Sequence, residues 1–128
     1  NWEDAIKSVG YLLMNSKQIE DDYVNSMINS VKELGPYIVL SQGFALAHAA
    51  PNTETVHKPS LAIVTLKKPV KFGSPNDPVK VLMCLACMDK ATHLDLLSKA
   101  AKKLMQENFV ENAAKCKTVD ELYHVIND

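Results

Sequence analysis

Val79-Lys80-Val81-Leu82-Met83-Cys84-Leu85-Ala86-Cys87-Met88 is the most apolar stretch of this chain, and its reading decides the fold. It is too short for a membrane span, and it lacks the polar alternation of a strand with one wet face. A central strand covered on both faces, of the kind parallel strands form in α/β proteins, meets both conditions. Dense turn chemistry precedes it in Gly73-Ser74-Pro75-Asn76-Asp77-Pro78. Upstream, Ser60 to Leu66 reads as a buried strand with Lys67 and Lys68 at its exposed end, and Pro69 to Phe72 as a short extension. Further back, Tyr37 to Leu40 and Phe44 to Ala47 read as two short strand pieces broken by Ser41-Gln42-Gly43.

Helices flank these strands. Apolar residues at 2, 5, 6, 9, 12 and 13 form one helical stripe, which can be satisfied within the domain or by a second copy, so a homodimer stays open. A second helix opens on Glu20, Asp21 and Asp22, where carboxylates suit the positive end of the dipole. Tyr23, Met27, Val31 and Leu34 form its stripe with Val24 and Ile28 alongside; Gly35 supplies a left-handed cap, and Pro36 forbids continuation. After the central strand, Thr92 and Asp95 have the spacing of an N-cap and its N3 carboxylate, which puts His93 at the first helical position. Leu94, Leu97, Ala101 and Leu104 are that helix's expected buried stripe. A short helical piece follows from Asn108 to Lys115, and Thr118-Val119-Asp120-Glu121 opens a last helix to about Ile126. The sum is a layered α/β domain of three or four strands, a single domain over residues 1–128.

Bulk composition narrows the function classes. A formal net charge of -1 carries no basic footprint, so nucleic acid is not an expected partner. All 14 basic residues are lysines, so the bidentate guanidinium clamp common at phosphate sites is absent from the chain. Three cysteines, Cys84, Cys87 and Cys116, with no secretory segment, fit a reducing, cytoplasmic setting. Cys84 and Cys87 form a C-x-x-C, but strand geometry points residues three apart to opposite faces, so they read as small core hydrophobes. The chain starts at Asn1 and not at an initiator Met, which leaves room for an upstream segment.

Chemistry concentrates on histidines. The run Gly43-Phe44-Ala45-Leu46-Ala47-His48-Ala49-Ala50-Pro51 delivers one imidazole to the rim of the sheet and stops; a hydrogen-bonded core histidine is the alternative. His48 at a strand end and His93 at a helix start both lie where the sheet hands over to its loops, the usual ligand edge. If they meet, the helix N-terminus suits an anion such as phosphate, and one imidazole could carry a phosphoryl group while the other hydrogen-bonds its oxygens. No cofactor or bound metal is required: the H-x-x-x-H and Cys/His spacings of zinc sites are absent, as is a G-x-S-x-G elbow. His57 falls in a polar, unpatterned loop from Asn52 to Pro59 and reads as solvated. His124 reads as a surface residue of the last helix.

Ala5-Ile6, Tyr23, Gly35-Pro36-Tyr37-Ile38-Val39, the Gly43 to Pro51 segment, Phe72-Gly73-Ser74, Asn76-Asp77-Pro78-Val79 and His93-Leu94-x-Leu96-Leu97 together resemble the enzyme IIA component of the bacterial phosphoenolpyruvate-dependent sugar phosphotransferase system. The likeness runs from about Trp2 to about Leu104 and falls in the mannitol/fructose superfamily, nearest its ascorbate-like branch. It implies a mixed β-sheet of about four to five strands with helices on both faces. It also implies a phosphotransferase that accepts a phosphoryl group on His48 from the histidine-containing phosphocarrier protein. The group would pass to a cysteine of enzyme IIB, and indirectly serve the membrane enzyme IIC in uptake of an ascorbate-like or pentitol-class sugar. His93 matches the second active-site histidine. A regulatory module controlled by phosphorylation is the alternative use of such a domain. The chain departs from many relatives at Ala47, where they have Pro, and at Ala49, where they have Arg or Gly. At Ser30 it departs from mannitol-type members, which carry Arg.

Overall fold

The computed structural model describes residues 1–104, 106 and 109–115. Its elements run α1 (Trp2–Asn15), α2 (Asp21–Leu34), β1 (Val39–Ser41), β2 (Phe44–Ala47), β3 (Ser60–Val70), β4 (Val79–Ala86), α3 (Lys90–Leu104) and α4 (Phe109–Ala114). The four strands form one mixed sheet in the order β1-β2-β4-β3. β4 is central: it lies parallel to β2, with Ala47 opposite Cys84, and antiparallel to β3, with Ser60 opposite Ala86.

Alternation along β4 explains the layers. Leu82, Cys84 and Ala86 face one core, shared with Ile6, Val9 and Leu13 of α1 and Tyr23, Val24, Met27 and Ile28 of α2. Val81, Met83 and Leu85 face the other, with Ala100 of α3 and Phe109 and Ala113 of α4. Helices therefore cover both faces, as the apolar run requires. Leu82, Leu85, Phe44 and Leu46 are fully buried, each contributing roughly 1.5–3 kcal/mol relative to exposure. Cys84 and Cys87 are free, buried thiols on opposite faces, as the strand period predicts; Cys116 lies outside the described residues.

Local signals set most boundaries. Asn1 caps α1 by accepting the N–H of Asp4 at 2.9 Å. α1 sits so close to α2 that a Cβ on Gly10 would meet Val24 Cγ2 at 2.8 Å, so any side chain there would force Val24 to shift. Gly35 ends α2 at φ 83° and ψ −171°. The positive φ is the one expected, but ψ is extended and not left-handed helical, a region open essentially to glycine alone.

Three expectations need correction. Leu34 is 71% exposed, one turn beyond where α2 touches the core. β3 is an edge strand, mostly half-buried, and its two predicted pieces run together through Pro69 with irregular register between Thr65 and Val70. An edge tolerates the missing proline N–H. The Asn52 to Pro59 loop is patterned, not free: Val56 is fully buried and bridges Ile19, and the His57 N–H bonds the Gln18 carbonyl. Of the apolar stripe of α1, Ala5, Ile6, Val9 and Leu13 are buried within the domain and Trp2 is half-buried, whereas Leu12 is 49% exposed. The predicted last helix and His124 lie outside the described residues.

The turn before β4 is held by Asp77, whose carboxylate accepts the N–H groups of Phe72, Gly73 and Ser74 at 3.0, 2.8 and 3.0 Å. It lies at the end of the sheet away from His48. Asp77→Ala should lower stability by about 1–3 kcal/mol, read from urea unfolding, since it strips three donors of a charged acceptor. Phosphoryl uptake by the folded fraction should be unchanged.

Candidate active site

Because β2 and β4 are parallel, their carboxyl ends share one edge of the sheet. β2 ends at Ala47, and the next residue, His48, stands half-buried at that edge. β4 passes through Cys87 and Asp89 into α3, whose first turn carries His93. The two imidazole centroids are 5.6 Å apart with planes at 55°. Tyr37, just before β1, sets its ring edge-on to His48 at 5.3 Å and 85°. The sequence thus brings His48 and His93 together, and the fold adds an aromatic wall.

The protonation of His48 follows from its contacts. Its Nδ1 lies 2.7 Å from the carbonyl oxygen of Leu46. A carbonyl only accepts, so Nδ1 carries the hydrogen and Nε2 keeps a bare lone pair. Burial lowers the pKa of His48 below the usual 6.5, opposed by the Leu46 bond, which favours the charged ring. Burial also lowers that of His93, with the neighbouring His48 adding to the shift. Both rings are therefore neutral at pH 7, the state a nitrogen nucleophile needs.

The pH dependence has a definite sign. Unfolded histidines take up protons near 6.5, while the folded rings resist until lower pH, so this contribution to stability is complete above 6.5 and lost as pH falls through the folded values. Phosphoryl acceptance should stay level from about pH 8 to 6.5 and decline only below that, in step with an NMR titration of His48 whose midpoint lies under 6.5.

His93 is positioned differently from the sequence expectation. The cap of α3 is Asp89, not Thr92: its carboxylate accepts the Thr92 N–H at 2.8 Å. Bonds from the backbone and hydroxyl of Thr92, then from Ala91, hold Asp89 below its usual carboxylate range. His93 is thus the fourth helical residue, its own N–H bonded to the Asp89 carbonyl at 3.2 Å. Asp95, the expected N3 carboxylate, instead pairs with Lys99 one turn on, at 3.2 Å. The helix start is consequently occupied by the protein's own carboxylate and is not an open anion site. The buried stripe is also rotated, to His93, Leu96, Leu97 and Ala100, with Leu94 55% exposed and Ala101 exposed. His93 belongs to that buried face, and its Nδ1 has no hydrogen-bond partner.

Sequence reasoning missed Tyr37 as a site residue, although Gly35-Pro36 marks it as the first residue after a forced helix stop. It also missed the contact between Tyr37 and Ser30, whose hydroxyl hydrogen-bonds the phenol. Ser30 therefore sits beside this site. His57 stands apart: its Nε2 meets Glu20 Oε1 at 2.7 Å on the surface. Among the described residues no group of three or more His, Cys, Asp or Glu could hold a metal ion.

Comparison with known proteins decides the family. The model for "Phosphoenolpyruvate-dependent sugar phosphotransferase system, EIIA 2" matches residues 1–128. The chain belongs to that family. This enzyme IIA is 36% identical over 129 residues to the ascorbate-specific PTS system EIIA component of Shigella boydii serotype 4 (strain Sb227), covering 98% of this chain and 82% of the relative. A crystal structure assigned as a PTS IIA domain from Streptococcus pyogenes M1 GAS has TM-score 0.88 at 29% identity, over 99% of this chain and 82% of that one. The Escherichia coli mannitol IIA, solved in complex with phosphorylated mannitol IIB, has TM-score 0.80 at 22% identity, over 98% of this chain and 86% of that one. At that identity the likeness speaks for the fold alone. As an enzyme IIA of the sugar phosphotransferase system, the chain is a phosphotransferase.

Proposed function

We propose that His48 Nε2 is the atom of this enzyme IIA that accepts and releases the phosphoryl group. The observation that carries the reading is the 2.7 Å contact from Nδ1 to the Leu46 carbonyl, which leaves Nε2 unprotonated on the side chain that also meets His93. The Nε2 lone pair attacks the phosphorus of a phosphohistidine on the histidine-containing phosphocarrier protein. The N–P bond of the donor breaks, and its electron pair returns to the donor imidazole. The phosphorylated His48 ring carries positive charge, which the Leu46 carbonyl stabilises through Nδ1–H. In the second half, a cysteine thiolate of an enzyme IIB attacks phosphorus, and His48 leaves as the neutral imidazole. His93 stabilises charge on the transferring oxygens.

Phosphoryl transfer depends on positioning and electrostatics more than on covalent assistance, so this small constellation suffices. With no Arg in the chain and the start of α3 capped by Asp89, further positive charge comes from lysines or from the partner. The ascorbate-specific name of the 36% identical relative supports an ascorbate-like sugar, pentitols being the neighbouring class. The setting is cytoplasmic, residues 1–128 act as one phosphocarrier domain, and association with the membrane enzyme IIC is indirect. No helix among the described residues is long and apolar enough to cross a membrane.

The test is a reconstituted relay of phosphoenolpyruvate, enzyme I, the phosphocarrier protein and this chain, read by intact mass. One acid-labile phosphoryl group is expected, followed by its transfer to the cysteine of an ascorbate-type enzyme IIB. An unmodified chain would overturn the reading. Acceptance without transfer to any enzyme IIB would favour a regulatory module.

A further inference from the structure

β2 leaves the sheet at Ala47, so the backbone beyond it loses the ladder that fixes its neighbours. The next peptide group, between His48 and Ala49, is nevertheless bonded at both of its polar atoms. Its carbonyl, on His48, accepts the Tyr37 hydroxyl at 3.2 Å. Its N–H, on Ala49, donates to the Tyr23 hydroxyl at 3.1 Å. Tyr23 in turn donates its hydroxyl hydrogen to the Leu85 carbonyl near the end of β4, at 2.7 Å. Tyr23 is 1% exposed, so these groups would be unpaired without its hydroxyl. Tyr37 comes from the other side, with its ring edge on the imidazole.

We propose that Tyr37 and Tyr23 are positioning residues that clamp the His48–Ala49 peptide and so aim the His48 imidazole. The proposal rests on the reading of His48 as the phosphoryl acceptor. Its content is geometric. The sheet ladder fixes the peptide before His48, the tyrosine pair fixes the peptide after it, and together they fix the Cα–Cβ direction. The Leu46 carbonyl then fixes the ring's rotation through Nδ1. Loosening the second peptide lets the imidazole swing off that carbonyl. The neutral ring can then exchange tautomers, and Nε2 is no longer held bare and aimed. Tyr37 reaches the clamp from just before β1, and Tyr23 from the first turn of α2. The device therefore draws on three elements remote in sequence from His48: α2, the lead into β1, and β4.

The decisive variant is Tyr37→Phe, because it removes one hydroxyl from a side chain that is 38% exposed and leaves the ring contact in place. Two readouts are taken on the full chain. With 15N-labelled histidine, wild-type His48 should give one pyrrole-like Nδ1 signal and one unprotonated Nε2 signal. In Tyr37→Phe those signals should move toward each other as the second tautomer is populated. The rate of acceptance from the phosphorylated phosphocarrier should fall about fivefold, the worth of one net hydrogen bond, with KM for the carrier unchanged. Tyr37→Leu, which also loses the ring edge, should fall further, by about tenfold or more. Tyr23→Phe should shift the same 15N signals, with a lower melting temperature because it leaves buried groups unpaired.

Wild-type 15N signals and wild-type rate in Tyr37→Phe would overturn the proposal. So would a slower rate with unmoved signals and a raised KM, since that pattern describes a partner contact. The tautomer signature needs no phosphoryl donor. If wild type accepted no phosphoryl group yet the signals moved as expected, the acceptor reading would fall and the clamp would stand.

Discussion

His48→Gln is expected to yield a folded chain that takes up no phosphoryl group. Glutamine retains a polar side chain of similar reach, but an amide nitrogen has no lone pair available for attack, so the covalent intermediate cannot form. The loss in acceptance should exceed about three orders of magnitude, the scale seen when a nucleophile is removed from a working constellation. Stability should change by no more than about 1–1.5 kcal/mol, because the ring is half-buried and contributes one backbone hydrogen bond and an edge contact with Tyr37. Intact mass after incubation with the relay proteins, alongside a melting curve, separates these effects. Incorporation at the wild-type rate would move the nucleophile elsewhere.

The second large effect belongs to His93. His93→Ala should still accept the group on His48, but transfer through it should slow by about 10²-fold, the typical consequence of deleting one donor that acts on developing charge. Its ring is 5.6 Å from that of His48, and its Nδ1 is buried without a partner. Alanine also leaves a void under the first turn of α3, so some loss of stability accompanies the kinetic one. His93→Gln keeps most of that volume and separates the two. A slow but stable Gln variant assigns the deficit to chemistry. If both variants turned over as wild type does, His93 would be removed from the reaction.

Much of this architecture was legible because it rests on local periodicity. The apolar run that is unbroken from Val81 to Met88 reads as central, and β4 is flanked on both sides and covered on both faces. Stop and turn signals at Gly35-Pro36 and around Asp77 fall where the chain changes element. The expectations that failed share a cause, in that they depend on which partner a residue meets. The stripe of α3 is misphased when counted from Leu94, which is exposed, because the buried face begins at His93. Thr92 and Asp89 both have cap chemistry, and in the fold it is the Asp89 carboxylate that accepts the Thr92 N–H. β3 is as apolar over Leu61 to Leu66 as an interior strand, and only the sheet order makes it an edge.

For the site, the two histidines were visible from their places at a strand end and a helix start. Their surroundings were not. Tyr23 is 26 positions from Ala49 and 62 from Leu85, and no local pattern encodes bonds at those separations. In the sequence Tyr23 is simply the first apolar residue of an amphipathic helix, and its hydroxyl acquires a use only when α2 lies beneath the ends of β2 and β4. Ser30 is similar: its meaning comes from Tyr37, which the chain brings back after the helix stop.

The central claim is that phosphorus bonds to one atom, His48 Nε2. The most direct measurement is 15N and 31P NMR of the phosphorylated full chain carrying 15N-labelled histidine. One phosphorus coupled to the Nε2 of His48, with Nδ1 still protonated, is the predicted result. Phosphorus on Nδ1 of His48, or on either nitrogen of His93, would contradict the account.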